Sequence, residues 1–120
     1  MTASAFICGS SGPVLTADEI AFYRDARPWG FILFKRNCET PEQIRALTAA
    51  MRDAVGWDAP VLIDQEGGRV QRLGPPQWPA YPTGRTYGDV FARSRGEGSR
   101  AAWLGARLMA ADLFALGIDV

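Results

Sequence analysis

Two runs constrain this chain more than any other feature of it: G-F-I-L-F-K, residues 30 to 35, and P-V-L-I-D, residues 60 to 64. Both are apolar at consecutive positions rather than at alternate ones. A strand with one wetted face alternates polar and apolar side chains, whereas a strand covered on both faces cannot. These runs therefore read as strands of a parallel sheet with helices on it. A shorter run, A-S-A-F-I-C at residues 3 to 8, is closed by G-S-S-G-P and reads as a strand followed by a turn.

The segments between the runs carry helix signals. Thr16 with Glu19 three residues later makes a capping box, which predicts a helix from about Ala17 to Ala26, ended by Pro28. Thr40 suits an N-cap, Pro41 the first helical position, and Gln43 a second capping box. Ile44, Leu47, Met51 and Val55 then recur at helical spacing until Gly56 stops the helix. After Asp64 a Gly- and Pro-rich stretch containing Trp78, Tyr81 and Tyr87 is expected to be a long loop. A helix from about Gly98 to Leu116 follows, with Leu104, Leu108, Ala111 and Ala115 along one face and Gly117 as its cap. The closing I-D-V begins a fourth strand. The order βαβαβ-loop-αβ calls for an α/β fold with right-handed crossovers. At 120 residues it is expected to form one domain, residues 1 to 120, with no second domain.

Charge and composition exclude several partners. Lys+Arg and Asp+Glu are both 13, so the net charge is zero and there is no electrostatic footprint for nucleic acid or anionic lipid. No apolar run approaches a membrane span, and the N-terminus lacks the basic and apolar regions of a signal peptide. A cytoplasmic protein is expected. Cys8 and Cys38 have no metal-ligand spacing and no histidine to join them, so they read as half-buried free thiols, with no metal and no cofactor.

Polar chemistry concentrates in V-L-I-D-Q-E-G-G-R-V-Q-R, residues 61 to 72. In parallel α/β folds the C-terminal ends of the strands converge on the ligand site. Asp64 sits at such an end, as do Lys35 to Asn37 and Cys8 to Ser10. Gly67 and Gly68 allow a sharp bend, and Arg69 and Arg72 can fold back with planar donor forks. Each part also has a plainer role: Asp64 as a turn cap, Glu66 as a structural hydrogen-bond partner, the glycines as an ordinary turn, Arg69 as a solvated surface residue. Together a carboxylate, a glycine bend and an arginine make a pocket for a polar ligand. Asp64 and Glu66 as a glycosidase pair is a weaker reading. Two residues apart on a strand they would lie about 7 Å apart on one face, but acid and nucleophile must approach the scissile bond from different sides. A phosphate site at G-S-S-G-P lacks the glycine-lysine ending such loops need.

The segment I-D-Q-E-G-G-R-V-Q-R-L resembles the signature of the bacterial β-N-acetylhexosaminidases of glycoside hydrolase family 3, cytoplasmic enzymes of peptidoglycan recycling. G-F-I-L-F-K-R-N, T-P-E-Q-I-R-A-L and L-G-I-D-V resemble the same family in the same order. The resemblance implies the N-terminal part of a (β/α)8 barrel, about three βα units and the start of the fourth strand. It implies hydrolysis of terminal non-reducing N-acetylglucosamine from cell-wall muropeptides with retention, by a monomeric enzyme. It assigns Asp64 and Arg72 to the hydroxyls of the terminal sugar, with Glu66, Gly67, Gly68 and Arg69 shaping the turn behind them.

The departures are large. The family's aspartate nucleophile lies on a late strand, and its histidine general acid lies in a K-H-F-P-G-H-G-like segment, whereas this chain has no histidine. No catalytic residue of the family is therefore expected within it. A barrel takes roughly 250 residues, so a fragment that is inactive alone and poorly stable is expected. The alternative is a non-catalytic sugar-binding or interaction module on a half-barrel.

Overall fold

The computed structural model describes residues 2–120. The chain divides into two compact units, one running up to Ile63 and resuming with Phe114–Val120, the other Asp64–Leu113.

The first unit is a three-stranded parallel sheet in the order β1 (Ser4–Cys8), β2 (Pro28–Leu33), β3 (Val61–Ile63), with crossover helices α1 (Ala17–Ala26) and α2 (Pro41–Val55). The doubly apolar runs form the central and third strands, but only one face of each is fully closed: Phe31, Leu33 and Val61 are fully buried, whereas Ile32 and Leu62, paired on the opposite face, are half-buried. Strand β2 starts at Pro28, two residues before the apolar run. A proline tolerates this because it opens the strand, where the missing N–H costs no ladder bond. Arg27 makes the turn out of α1 in the left-handed region, with φ 52°. Few non-glycine residues do so.

Both predicted helix starts are present. Thr16 and Glu19 form the full capping box. At α2 only half the second box exists. Thr40 accepts from the Gln43 amide, but the Gln43 side chain takes the N–H of Glu39, not that of Thr40. Its other end donates to the carbonyls of Pro13 and Asn37, which pulls it off the cap position. Ile44, Leu47, Met51 and Val55 bury the predicted stripe of α2, and Tyr23 of α1 meets Phe31 edge-on at 5.0 Å between ring centroids. Leu116 and Ile118 complete this core. The closing residues are not a full strand, yet they bond to β3 as a parallel neighbour does: Ile63 N–H donates to the Val120 carbonyl at 2.9 Å, and Asp119 and Val120 N–H donate to Val61.

The second unit departs most from expectation. The stretch read as a loop contains a hairpin, β4 (Gln65–Gly67) with β5 (Val70–Gln71), and a helix, α3 (Gly84–Arg93). Strands of two or three residues leave no visible alternation, and α3 buries no residue fully, so neither gives the periodic signal that reveals an element. Thr83, the N-cap of α3, was the available cue. Helix α4 spans Arg95–Phe114, displaced by about two residues toward the N-terminus from the expected range. Leu104 and Leu108, expected on a packed face, are exposed, and the buried positions of α4 are Gly98 and Gly105. At Gly98 a Cβ would overlap the backbone and Cβ of Phe91, so the two helices approach closely where α4 has no side chain. Among the described residues no helix is long and apolar enough to cross a membrane.

Candidate functional site

The hairpin that follows β3 folds Arg72 back onto Asp64. Its bend needs both glycines. Gly67 has φ 85° and Gly68 φ 60°, and a Cβ on Gly67 would overlap the Pro82 carbonyl oxygen. Two glutamines then fix the strands of the hairpin. The Gln65 Oε1 accepts from the backbone N–H of Arg72 and Leu73, at 3.0 and 3.1 Å, and its amide donates to the Leu73 carbonyl. The Gln71 amide donates to the carbonyls of Leu73 and Pro79 and its Oε1 accepts from the Tyr81 N–H. Sequence reasoning passed over both glutamines. Each lies next to a candidate ligand-binding residue, and that adjacency was the only signal.

The result is an ion pair of 2.9 Å between Arg72 Nη2 and Asp64 Oδ2. The side chains keep 27% and 41% exposure respectively, so the pair is supported from behind and open in front. A carboxylate with two oxygens and an arginine fork with five donors each retain capacity beyond one mutual bond. Such a pair can accept from one hydroxyl and donate to its neighbour. Glu66 and Arg69 are exposed on the hairpin, with Gly67 buried beneath them and Gly68 at the surface.

The other strand-end residues serve the fold. Asn37 is fully buried and its amide donates to Ser10 O, Ser10 Oγ and Gly12 O, while its Oδ1 accepts from the Phe34 N–H. Arg36 donates to Ser10 O as well. These bonds tie the turn after β1 to the turn after β2. In the G-S-S-G-P turn the Ser11 N–H is held by Glu19 Oε1 at 2.6 Å, so an anion would meet a carboxylate there. Partial burial pushes the Glu19 carboxyl up, but hydrogen bonds from Thr16 and Ser11 outweigh this and hold it below its ordinary value. Cys8 and Cys38 are half-buried free thiols, as expected, and burial raises both, Cys38 to about 11. Neither is a thiolate at neutral pH. No group of three metal-ligating side chains occurs among the described residues.

Comparison with known proteins gives these arrangements a context. No protein-family model matches the chain. It is 36% identical over 95% of its length to a beta-hexosaminidase of Xylella fastidiosa, covering 34% of that protein. It is likewise 36% identical over 92% of its length to a beta-hexosaminidase of Bordetella avium, covering 31% of it. Its fold matches native NagZ from Neisseria gonorrhoeae with a TM-score of 0.89 at 28% identity, over 98% of this chain and 34% of that one. A glycoside hydrolase family 3 β-N-acetylglucosaminidase from Paenibacillus matches with a TM-score of 0.80 at 27% identity, over 95% of this chain and 21% of that one. The chain thus spans about a third of the length of the curated relatives it matches. It is similar over nearly its whole length to proteins named beta-hexosaminidase, and the Paenibacillus relative is a glycoside hydrolase.

Proposed function

We propose that Asp64 and Arg72 form part of the subsite that grips the terminal sugar of a β-N-acetylhexosaminide. Asp64 accepts from the sugar hydroxyls and Arg72 donates to them. The single observation behind this is the half-open 2.9 Å pair at the hairpin, whose backbone Gln65 and Gln71 brace through their side-chain amides. Charge-assisted hydrogen bonds of this kind are short and roughly twice as strong as neutral ones, and a prearranged pair loses little freedom on binding. Related NagZ from Neisseria gonorrhoeae has been crystallised with N-trifluoroacetyl-D-glucosamine, a ligand of the same chemical class.

In this reading the parallel sheet and its helices are the first βα units of a (β/α)8 barrel. The protein of which they form part removes N-acetylglucosamine from muropeptides in the cytoplasm during peptidoglycan recycling, through a glycosyl-aspartate intermediate. The nucleophile and the general acid come from elsewhere in that barrel, so this chain binds and does not cleave. Titrating the 15N-labelled chain with N-acetylglucosamine tests the reading. Amide shifts around Asp64 and Arg72 at millimolar sugar are expected, with a nitrophenyl N-acetylglucosaminide left intact. Absence of shifts there in the folded chain would remove the proposal.

A further inference from the structure

A second layer of contacts stands behind the Asp64–Arg72 pair, and it converges on one residue. Tyr81 uses three separate groups. Its backbone N–H donates to Gln71 Oε1 at 2.9 Å. Its carbonyl accepts from the Gly68 N–H at 3.0 Å. Its hydroxyl donates to Asp112 Oδ2 of α4 at 2.5 Å. The first two bonds end on the residue beside Arg72 and on the bend that turns the hairpin back. The third ties both to α4, the longest helix of this unit. The next residue, Pro82, presses its carbonyl so close to Gly67 that only a glycine fits. The hairpin thus follows wherever residues 81 and 82 are held.

The phenol suits this task. Burial first, then the Asp112 bond and charge, raise Tyr81 to about 12. The hydroxyl therefore keeps its proton and its bond throughout the physiological range. A tyrosine hydroxyl on a carboxylate is a charge-assisted bond and outlasts the weaker turns around it.

We propose that Tyr81 is a positioning residue for the Asp64–Arg72 pair, and that its tether to Asp112 sets the affinity of that pair for sugar hydroxyls. This rests on the reading of the pair as a sugar subsite. Tyr81 touches no ligand in this role; it acts through Gln71 and Gly68.

The test compares the full chain with Tyr81→Phe, Asp112→Asn and, as a control, Thr16→Ala, which weakens the cap of α1 and lies outside the network. N-acetylglucosamine is the probe, read by NMR at a temperature where all four proteins are folded. Tyr81→Phe keeps both backbone bonds and removes only the tether. It is expected to raise the apparent Kd roughly three- to tenfold and to move the Gly68 amide and Arg72 Nε–H resonances of the free protein. Asp112→Asn retains an acceptor for the hydroxyl but not its charge, and is expected to raise the Kd by less than Tyr81→Phe does; a larger rise than that of Tyr81→Phe would overturn the proposal. Thr16→Ala is expected to leave the Kd unchanged. Parent-like binding by Tyr81→Phe with those resonances unmoved overturns the proposal and leaves the sugar reading standing. Equal weakening by Thr16→Ala overturns it too, since the effect would then be one of stability. No binding by the parent chain removes the sugar reading, and the proposal falls with it.

Discussion

Asp64 and Glu66 stand two positions apart in sequence and differ in everything the structure gives them. Asp64 meets an arginine, while Glu66 lies exposed on the hairpin. Asp64→Asn removes the charge that Arg72 and a sugar hydroxyl both use, and is expected to weaken N-acetylglucosamine binding at least tenfold, or about 1.4 kcal/mol or more. Glu66→Gln is expected to cost far less in the same titration. Two other residues predict how stability depends on pH. Tyr81 titrates near 10 when unfolded and about 12 when folded. A raised group contributes stability that is intact below the unfolded value and lost as pH rises through the folded one. An alkaline decline between about 10 and 12 is expected, and Tyr81→Phe should make it shallower in a denaturant series, with the raised Cys8 and Cys38 thiols still contributing. Glu19 is lowered from 4.5, so its contribution is present above that value and lost as pH falls below it. Much of this was legible: Asp64, Arg72 and the paired glycines stood out as a cluster. Tyr81 and the two glutamines did not, because their roles run through backbone groups that one sequence does not display.

Helices and strands with a strong period were read correctly for a physical reason. The β2 and β3 runs bury alternate side chains fully on one face and half-bury those on the other, and α2 buries one stripe, so their apolar residues follow the spacing of the backbone. Helix α3 and the hairpin have no such obligation and were missed. The exposed leucines of α4 misled in the opposite sense, since a regular apolar face need not be a packed one. Close backbone approach dominates in the α3–α4 pair, and glycine substitutions measure it. Gly98→Ala places a methyl on the Phe91 backbone and is expected to destabilise by about 1–3 kcal/mol or more. Gly88→Ala, in α3 with open space around it, is expected to stabilise by about 0.5–1 kcal/mol. Equilibrium urea unfolding of the two variants would separate these signs, and equal effects would contradict the close approach described for Gly98.

At the scale of the whole chain, much apolar surface remains in water. In the first unit Phe6, Ile7, Phe22 and Trp29 are exposed; in the second Trp103, Leu104 and Leu108 are. Strand β1 pairs on one side with β2 and carries neither a charge nor a proline along its length, the usual guards of an open edge. Fully burying one large side chain contributes about 1.5–3 kcal/mol, and a domain's stability is typically about 5–15 kcal/mol. The chain alone is therefore expected to associate with rising concentration, to bind a hydrophobic dye and to melt broadly. A sharp, concentration-independent transition of a monomer, seen by calorimetry and sedimentation, would contradict this.

Strand β3 and the closing residues are bonded neighbours, so everything from Asp64 to Leu113 departs from and returns to one edge of the sheet. An excursion with such adjacent anchor points behaves as a cassette. Substitutions in its hairpin or helices are expected to leave the register of Val61–Ile63 against Asp119 and Val120 unchanged, as read from the amide shifts of those residues. The backbone bonds that set the sheet's pairing thus lie outside the segment that carries the Asp64–Arg72 pair.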